Sequence, residues 1–161
     1  MFETLISKLQ EDKYLTLETT PQHEPSMHNI VEKIKKFKID SKVDGFTCTD
    51  NPLAKLKYNS LFAALKLQQE FKKPVIATMT MRDRNKIALQ SDLLGANDFD
   101  IRAILALTGD PANMSDQPNS KGVFEANSLM LLKMIKSFNY GMDFAGRLLK
   151  LSLNKFFHLQ L

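Results

Sequence analysis

Short apolar or β-branched runs alternate along the chain with stretches in which apolar residues recur at helical spacing. The runs predict strands at residues 14–20, 45–49, 75–80 and 103–108, and the tail 155–161 could be a fifth strand or part of one. Helical patterns follow the first four runs, at residues 27–37, 61–71, 87–94 and 131–138. The strand centres lie about 30 residues apart, the length of one βαβ unit. The pattern therefore predicts an α/β fold with parallel strands.

Local signals predict the boundaries of these elements. Ser26, Asn59 or Ser60, and Asn85 are placed to cap three of the helices. Gly95 is expected to end the helix that Asn85 starts. A long polar loop from 109 to 122 follows the fourth strand, and loops of this length are usually functional or disordered.

Two architectures fit this order of elements, an open doubly wound sheet and a closed (β/α)8 barrel of the TIM type. No Gly-x-Gly-x-x-Gly follows the first strand, which weakens the dinucleotide-binding version of the open sheet. Polar residues instead end every strand, at Glu18, 49–50, 80–83 and 108–110. Since a (β/α)8 barrel builds its active site from that rim, the barrel is favoured.

Composition places the chain among ordinary globular domains. It has 161 residues, 43% hydrophobic and 25% charged, which argues against disordered and collagen-like classes and suits a single domain. No apolar run approaches the roughly 18–20 residues of a membrane span, and the N-terminus lacks a signal-peptide pattern. The net charge of +4 comes with lysines spread along the predicted helices, which favours solvated helix faces over a nucleic-acid footprint.

Cysteine and histidine content excludes some chemistry. Cys48 is the single cysteine, so no internal disulfide forms and a zinc-thiolate site lacks ligands. His23 and His28 have no matching partners that would suggest a metal site. A reducing, cytoplasmic compartment is expected.

Two carboxylates are candidates for acid–base chemistry. Glu18 lies two residues inside the end of its strand, and Asp110 lies just beyond the end of the fourth. Carboxylates on one rim can act as acid and base if one is buried and its pKa is raised toward neutrality. The alternative is that Glu18 is solvated and Asp110 only begins a turn.

Five fragments, in order and spacing over about 15–146, resemble the methylenetetrahydrofolate reductases, most of all the bacterial type that carries an Arg-Asp-Arg-Asn stretch. The fragments are Leu-Glu-Thr-Thr-Pro at 17–21, Thr-Asp-Asn-Pro at 49–52, Arg-Asp-Arg-Asn at 82–85, Leu-Gln-Ser with Leu-Leu-Gly-Ala at 89–96, and Leu-Thr-Gly-Asp-Pro at 107–111.

The resemblance implies a barrel that binds FAD and reduces 5,10-methylenetetrahydrofolate to 5-methyltetrahydrofolate, in one-carbon and methionine metabolism. NADH, NADPH or another donor in some members reduces the flavin, which then passes a hydride to the folate. The protein places the reactive flavin nitrogen against the substrate and tunes its electronics.

The resemblance also implies roles by position. Glu18 resembles the general acid that protonates the folate nitrogen as the methylene bridge opens to an iminium ion. Asp110 resembles the aspartate beside the flavin pyrimidine. The other implied cofactor contacts are Thr49, Asp50, Thr78, Thr108, Gly109 and Phe124.

Two positions depart from the family pattern, and one stretch has a different expected role. Thr78 lies where many members carry a histidine, and Phe124 lies where many carry a tyrosine. For the Arg-Asp-Arg-Asn stretch at 82–85 a structural role is preferred, in which Asn85 caps a helix and the charges pair locally or meet solvent. The methionines at 79, 81, 130 and 134 are expected to fill the core.

A complete barrel of this type needs eight βα units, about 250 residues. The pattern therefore predicts one domain over 1–161 that corresponds to the N-terminal half of such a barrel. Open sheet edges favour association with a second copy or with a partner chain that closes the barrel. Three interpretations stay open at this point: an active reductase that uses folate and NAD(P)H, a fragment without a complete FAD and folate site, and a partner-binding subunit.

Overall fold

The computed structural model describes residues 1–11, 13–151 and 155–160. Its five helices are α1 (Phe2–Gln10), α2 (His28–Lys36), α3 (Ser60–Phe71), α4 (Lys86–Asp98) and α5 (Ser128–Asn139). Its five strands are β1 (Thr16–Thr19), β2 (Gly45–Cys48), β3 (Val75–Thr80), β4 (Ala103–Leu107) and β5 (Phe157–Gln160). Short 3₁₀ turns lie at Pro52–Ala54 and Ala112–Met114. The four predicted strand–helix pairs are confirmed, and so is the fifth strand, although Leu161 lies outside the described residues.

The five strands form one parallel sheet in the order β1-β2-β3-β4-β5. A doubly wound sheet reverses its strand order at a switch point, whereas a (β/α) barrel adds each strand next to the preceding one. The observed order is of the second kind. The fold is therefore an α/β arrangement of partial TIM-barrel type, as the sequence predicts.

Helices α2 to α5 cover one face of the sheet and form the main core. Every second residue of the strands points to this face, because side chains alternate along a strand. The face includes Phe46, Cys48, Met79 and Ile104, all fully buried. Helix residues pack onto them, among them Val31, Leu67, Leu93, Leu131 and Met134. Met79, Met81 and Met134 are buried and Met130 is partly buried, which confirms the methionines as core residues.

Helix α1 packs on the opposite face of the sheet, near the strands' N-terminal ends. Its Leu5 is completely buried in a cluster with Ile76 and Ala103, and Phe2 and Leu9 pack around it. The sequence pattern did not reveal this helix, although the spacing of Phe2, Leu5 and Leu9 is helical. Helix α1 therefore does not cover the carboxyl ends of the strands, where the sequence predicts the functional residues.

Two of the boundary expectations need correction. Helix α4 does not end at Gly95 but continues to Asp98, because a glycine inside a helix is tolerated at a modest cost. Helix α2 begins at His28 with Met27 at its N-cap, although Ser26 still accepts a hydrogen bond from the His28 N–H at 3.0 Å.

The remaining caps follow the sequence. Asn59, rather than Ser60, caps α3 by accepting hydrogen bonds from Leu61 and Phe62. Asn85 caps α4 through the N–H of Ala88.

Among the described residues, no helix has the length and apolar character needed to cross a bilayer.

Candidate functional site

A cleft of about 390 Å³ lies at the carboxyl ends of the strands. All of the predicted site residues except Phe124 line it: Glu18, Thr49, Asp50, Thr78, Thr108, Gly109 and Asp110. Pro52, Thr80, Leu105 and Leu107 complete the lining. The sequence prediction that the strand ends meet at one site is thus supported by geometry.

Strand register explains why these side chains share the cleft. Thr78 pairs with Leu105 and Thr80 with Leu107, so all four point to the face opposite α2 to α5. Glu18 pairs with Thr47 on the same face at the edge strand β1. Helix α1 packs on Ile76 and Ala103 near the N-terminal ends of this face, and the cleft lies at the other end.

Glu18 and Asp110 both line this cleft, Glu18 from β1 and Asp110 from the turn after β4. Two strands, β2 and β3, separate β1 from β4, and the carboxylate of Asp110 reaches back to the turn that follows β2. Glu18 is exposed, as in the alternative interpretation of the sequence, and no described residue forms a hydrogen bond or ion pair with its carboxylate. Asp110 is half-buried and accepts a 2.6 Å hydrogen bond from the backbone N–H of Leu53.

Gly109 has a conformation that requires glycine. Its φ is +99°, and a Cβ at this position would lie 2.9 Å from the Cβ of Arg82 and 3.2 Å from the Cβ of Thr80. The backbone of the turn after β4 therefore lies directly against the residues that follow β3. A side chain at this position would push the turn, and Asp110 with it, away from its place.

Asp50 is buried and held by the protein on several sides. Its Oδ2 accepts hydrogen bonds from the backbone N–H and the hydroxyl of Thr80, both at 3.0 Å, and from Nη1 of Arg84 at 2.7 Å. Arg84 also reaches Oδ1 at 3.3 Å. Asp50 therefore joins the end of β2 to the end of β3. A direct contact of Asp50 with a cofactor stays a prediction.

Arg84 connects Asp50 to helix α4. Its Nε lies 2.9 Å from Oδ2 of Asp92. Burial works against the charged form of Arg84, but the attraction and hydrogen bonds of Asp50 outweigh it and raise the pKa of the guanidinium. Burial raises the pKa of Asp92, although Arg84 opposes that change. The pairing of Arg84 with Asp50 and Asp92 agrees with the structural role predicted for the Arg-Asp-Arg-Asn stretch at 82–85.

Arg82 is almost fully buried, with 2% of its surface exposed. Of the two arrangements expected for the charges at 82–85, local pairing or contact with solvent, Arg82 shows local pairing, with Asp83. Hydrogen bonding to Asp83 raises the pKa of Arg82, and burial only partly opposes it. The same hydrogen bonding lowers the pKa of Asp83. The collection of polar residues at 80–83 was the signal in the sequence, but it did not distinguish the buried charge from the exposed one.

Besides Thr80, which bonds Asp50, three threonines line the cleft and differ in their contacts. The Oγ1 of Thr49 is buried and has no hydrogen-bond partner among the described residues, so it can donate to or accept from a ligand. The hydroxyl of Thr108 accepts a 3.2 Å hydrogen bond from the N–H of Ser128 at the start of α5. Thr78 is buried on the cleft face.

Phe124 lies outside the lining of the cleft. It has a φ of 38°, and its ring packs so closely on Gly122 that a Cβ there would collide with it. The residue is 37% exposed. Its part in cofactor binding stays a prediction that the geometry does not bring to the site.

Elsewhere in the described structure, an apolar cavity of about 210 Å³ lies between α3 and α4. It lies away from the strand ends and its only acidic lining residue is Asp92, which pairs with Arg84. No cluster of three potential metal-ligating side chains occurs in the described part of the chain.

A family model described as methylenetetrahydrofolate reductase matches residues 3–150. No curated protein matches the chain. The matched segment contains every residue that lines the cleft.

Proposed function

Because this chain belongs to the methylenetetrahydrofolate reductase family, we propose that it takes part in the flavin-dependent reduction of 5,10-methylenetetrahydrofolate to 5-methyltetrahydrofolate. NADH or NADPH is the proposed electron donor, and one-carbon and methionine metabolism in the cytoplasm is the proposed setting. The main support within the molecule is that Glu18 and Asp110 line one cleft at the carboxyl ends of parallel strands.

The residues of the cleft suit an FAD cofactor. The buried, unpartnered hydroxyl of Thr49 matches the need of a flavin ring for hydrogen-bond partners at its edge. Gly109 exposes backbone where a side chain would block close approach. Leu105 and Leu107 supply apolar surface for a ring face. When bound, FAD would carry a hydride from the nicotinamide to the methylene carbon of the folate.

Glu18 is the proposed general acid. Its carboxyl group would hold a proton and donate it to the folate nitrogen that leaves the methylene bridge. Its exposure at the edge strand would let it regain a proton from solvent after each turnover.

Asp110 is the proposed electrostatic partner of the reacting folate. A fixed negative charge stabilises positive charge that develops nearby, here on the iminium form of the substrate. The hydrogen bond from Leu53 fixes one oxygen of this carboxylate, so the charge is in place before the substrate binds.

A second candidate is a family member that cannot bind flavin by itself. The described sheet has five strands with open edges at β1 and β5, whereas a closed barrel of this type has eight. We propose that a second copy or a partner chain pairs with these edges. Light scattering of the purified protein would support this by detecting an assembly, and a monomer that stays folded on dilution would contradict it.

Visible absorption separates the two candidates. A yellow protein whose flavin is bleached anaerobically by NADH or NADPH, and then reoxidised by 5,10-methylenetetrahydrofolate, would support the reductase. A folded, colourless protein that does not bind added FAD would contradict it. The Glu18→Gln variant is the matched control, because it should keep the first half-reaction and lose the second.

A further inference from the structure

Arg82 is among the largest side chains in the described structure that are fully buried. A guanidinium is costly to bury unless it is paired, and a buried pair is weak evidence that its purpose is stability. Arg82 directly follows Thr80 and Met81 at the end of β3, at the level of the cleft. Its partners show which parts of the site it connects.

On one side, Arg82 holds the turn that follows β2. Its Nε and Nη2 donate to the two oxygens of Asp83, both at 2.7 Å, and Nη2 also donates to the backbone carbonyl of Asn51 at 2.9 Å. Asn51 has φ 42° and ψ 56°, a left-handed conformation that a non-glycine residue keeps only where its surroundings hold it. The side chain of Asn51 reaches Asp83 at 3.4 Å. Arg82 and Asp83 thus hold both the backbone and the side chain of Asn51.

On the other side, Arg82 lies under the turn that follows β4. A Cβ on Gly109 would lie 2.9 Å from the Cβ of Arg82, so the turn rests on the arginine's aliphatic stem. After the dominant hydrogen bonding with Asp83, attraction to the carboxylates of Asp50 and Asp110 also raises the pKa of Arg82. The Nη1 of Arg82 is buried without a hydrogen-bond partner among the described residues. One cation therefore lies between the two turns that carry the proposed cofactor contacts.

We propose that Arg82 is a positioning residue, which fixes the turn after β2 against the turn after β4 and thereby sets where Thr49 and Asp110 lie relative to the ligand. Its effect on turnover rests on the proposed function. Its effect on the two turns does not, and can be measured without any ligand.

The first test compares amide hydrogen exchange in the ligand-free wild type and the ligand-free Arg82→Lys variant. Lysine keeps the positive charge but lacks the planar set of N–H donors of the guanidinium. The amides of Leu53, which donates to Asp110, and of Lys57, which donates to Asn51, should exchange about tenfold faster, the effect of losing roughly one hydrogen bond. The amide of Ala63 in α3 should not change. Unchanged exchange at Leu53 and Lys57, or equal acceleration at Ala63, would overturn the proposal.

Arg102→Lys is the matched control. Arg102 is also largely buried, with its Nε 2.8 Å from Asp100 and its guanidinium over the ring of Phe2, but it lies near α1 instead of the cleft. Its replacement should leave the exchange of Leu53 and Lys57 as in the wild type. If Arg82→Lys fails to fold, Asp83→Asn removes one of the two acceptor oxygens and the charge that Arg82 pairs with, at a more exposed side chain, and should accelerate the same two amides.

The second test uses the flavin-loaded protein. Arg82→Lys should shift the visible flavin spectrum and slow the folate half-reaction about 10²-fold, with little change in the KM for folate. A small displacement of the reacting groups lowers the reaction rate more than it weakens substrate binding. A purely structural arginine would lower thermal stability without altering the spectrum or the ratio of the two half-reactions. That outcome in an active wild type would overturn the effect on turnover. A wild type without flavin would instead refute the proposed function, and the exchange experiment would still decide the role of Arg82.

Discussion

The backbone N–H of Leu53 donates a 2.6 Å hydrogen bond to Oδ2 of Asp110, and this bond joins the turn after β2 to the turn after β4. Leu53 has φ 56° and ψ 29°, and Asn51 and Ala54 also have positive φ. Three left-handed residues that are not glycine are costly, and they persist only where the surrounding structure holds them. Asp110 therefore helps to maintain the shape of the cleft in addition to its proposed electrostatic role.

Replacing Asp110 with asparagine tests these two roles separately. The amide oxygen can still accept the hydrogen bond of Leu53, but the negative charge is lost. We expect flavin to bind, its reduction potential to change, and the folate half-reaction to slow by about 10²-fold, the scale of one lost electrostatic contact. Stopped-flow reoxidation and a potentiometric titration measure the two effects. An unchanged folate rate would remove Asp110 from the electrostatic role.

Glu18→Gln should nearly abolish reduction of the folate while sparing reduction of the flavin by the nicotinamide. General acid catalysis is typically worth about 10²–10⁴-fold, and glutamine cannot donate a comparable proton. Single-turnover measurements of each half-reaction give the two rates. Glu11→Gln, at an exposed position just after α1, is the control and should keep both rates. A smaller loss in Glu18→Gln than the stated range would contradict the role.

Gly109→Ala should destabilise the protein by about 1–3 kcal/mol because its φ of +99° strains any other residue. The added Cβ would also meet the Cβ of Arg82 at 2.9 Å. Gly141→Ala is the matched control, since Gly141 has φ +76° and open space around it. Chemical denaturation should show a clearly larger loss at Gly109 than at Gly141. Equal losses would mean that the contact with Arg82 is not tight.

Cys48 should make the folded state less stable at alkaline pH. Burial raises the pKa of its thiol from 9.0 to about 12, although a hydrogen bond with Thr19 opposes the change. The unfolded chain therefore loses this proton first, and the free energy of unfolding should fall as pH rises from about 9 to 12, by up to about 1.4 kcal/mol per unit. Denaturation of the wild type and Cys48→Ala over this range should show a shallower fall in the variant. Parallel slopes would contradict the prediction.

Much of the fold could be predicted because its signals are local. The strands and the four helices that follow them repeat a pattern of apolar spacing, and Asn59 and Asn85 mark helix starts directly. Helix α1 was not predicted although its apolar residues have helical spacing. What the sequence could not show is the surface on which it packs, because Leu5 is buried by Ile76 and Ala103, which lie about 70 and 100 positions away along the chain.

The site divides in the same way. Residues at the carboxyl ends of parallel strands share one edge of a sheet, so the meeting of Glu18 with Thr49 and Asp110 followed from the strand pattern. The contacts that hold these residues did not follow. The bond from Leu53 to Asp110 spans 57 positions and that from Arg82 to Asn51 spans 31. Both depend on left-handed turns at ordinary residues, which local sequence preferences do not indicate.

The unbroken order of the strands has a consequence for synthesis on the ribosome. Each strand from β2 onward pairs with the strand made just before it, so a growing chain can add one βα unit at a time to an existing edge. None of the five described strands has to wait for a distant segment before it finds its neighbour. The scaffold can therefore be assembled vectorially, and the turns that carry Thr49 and Asp110 come together as soon as β4 emerges.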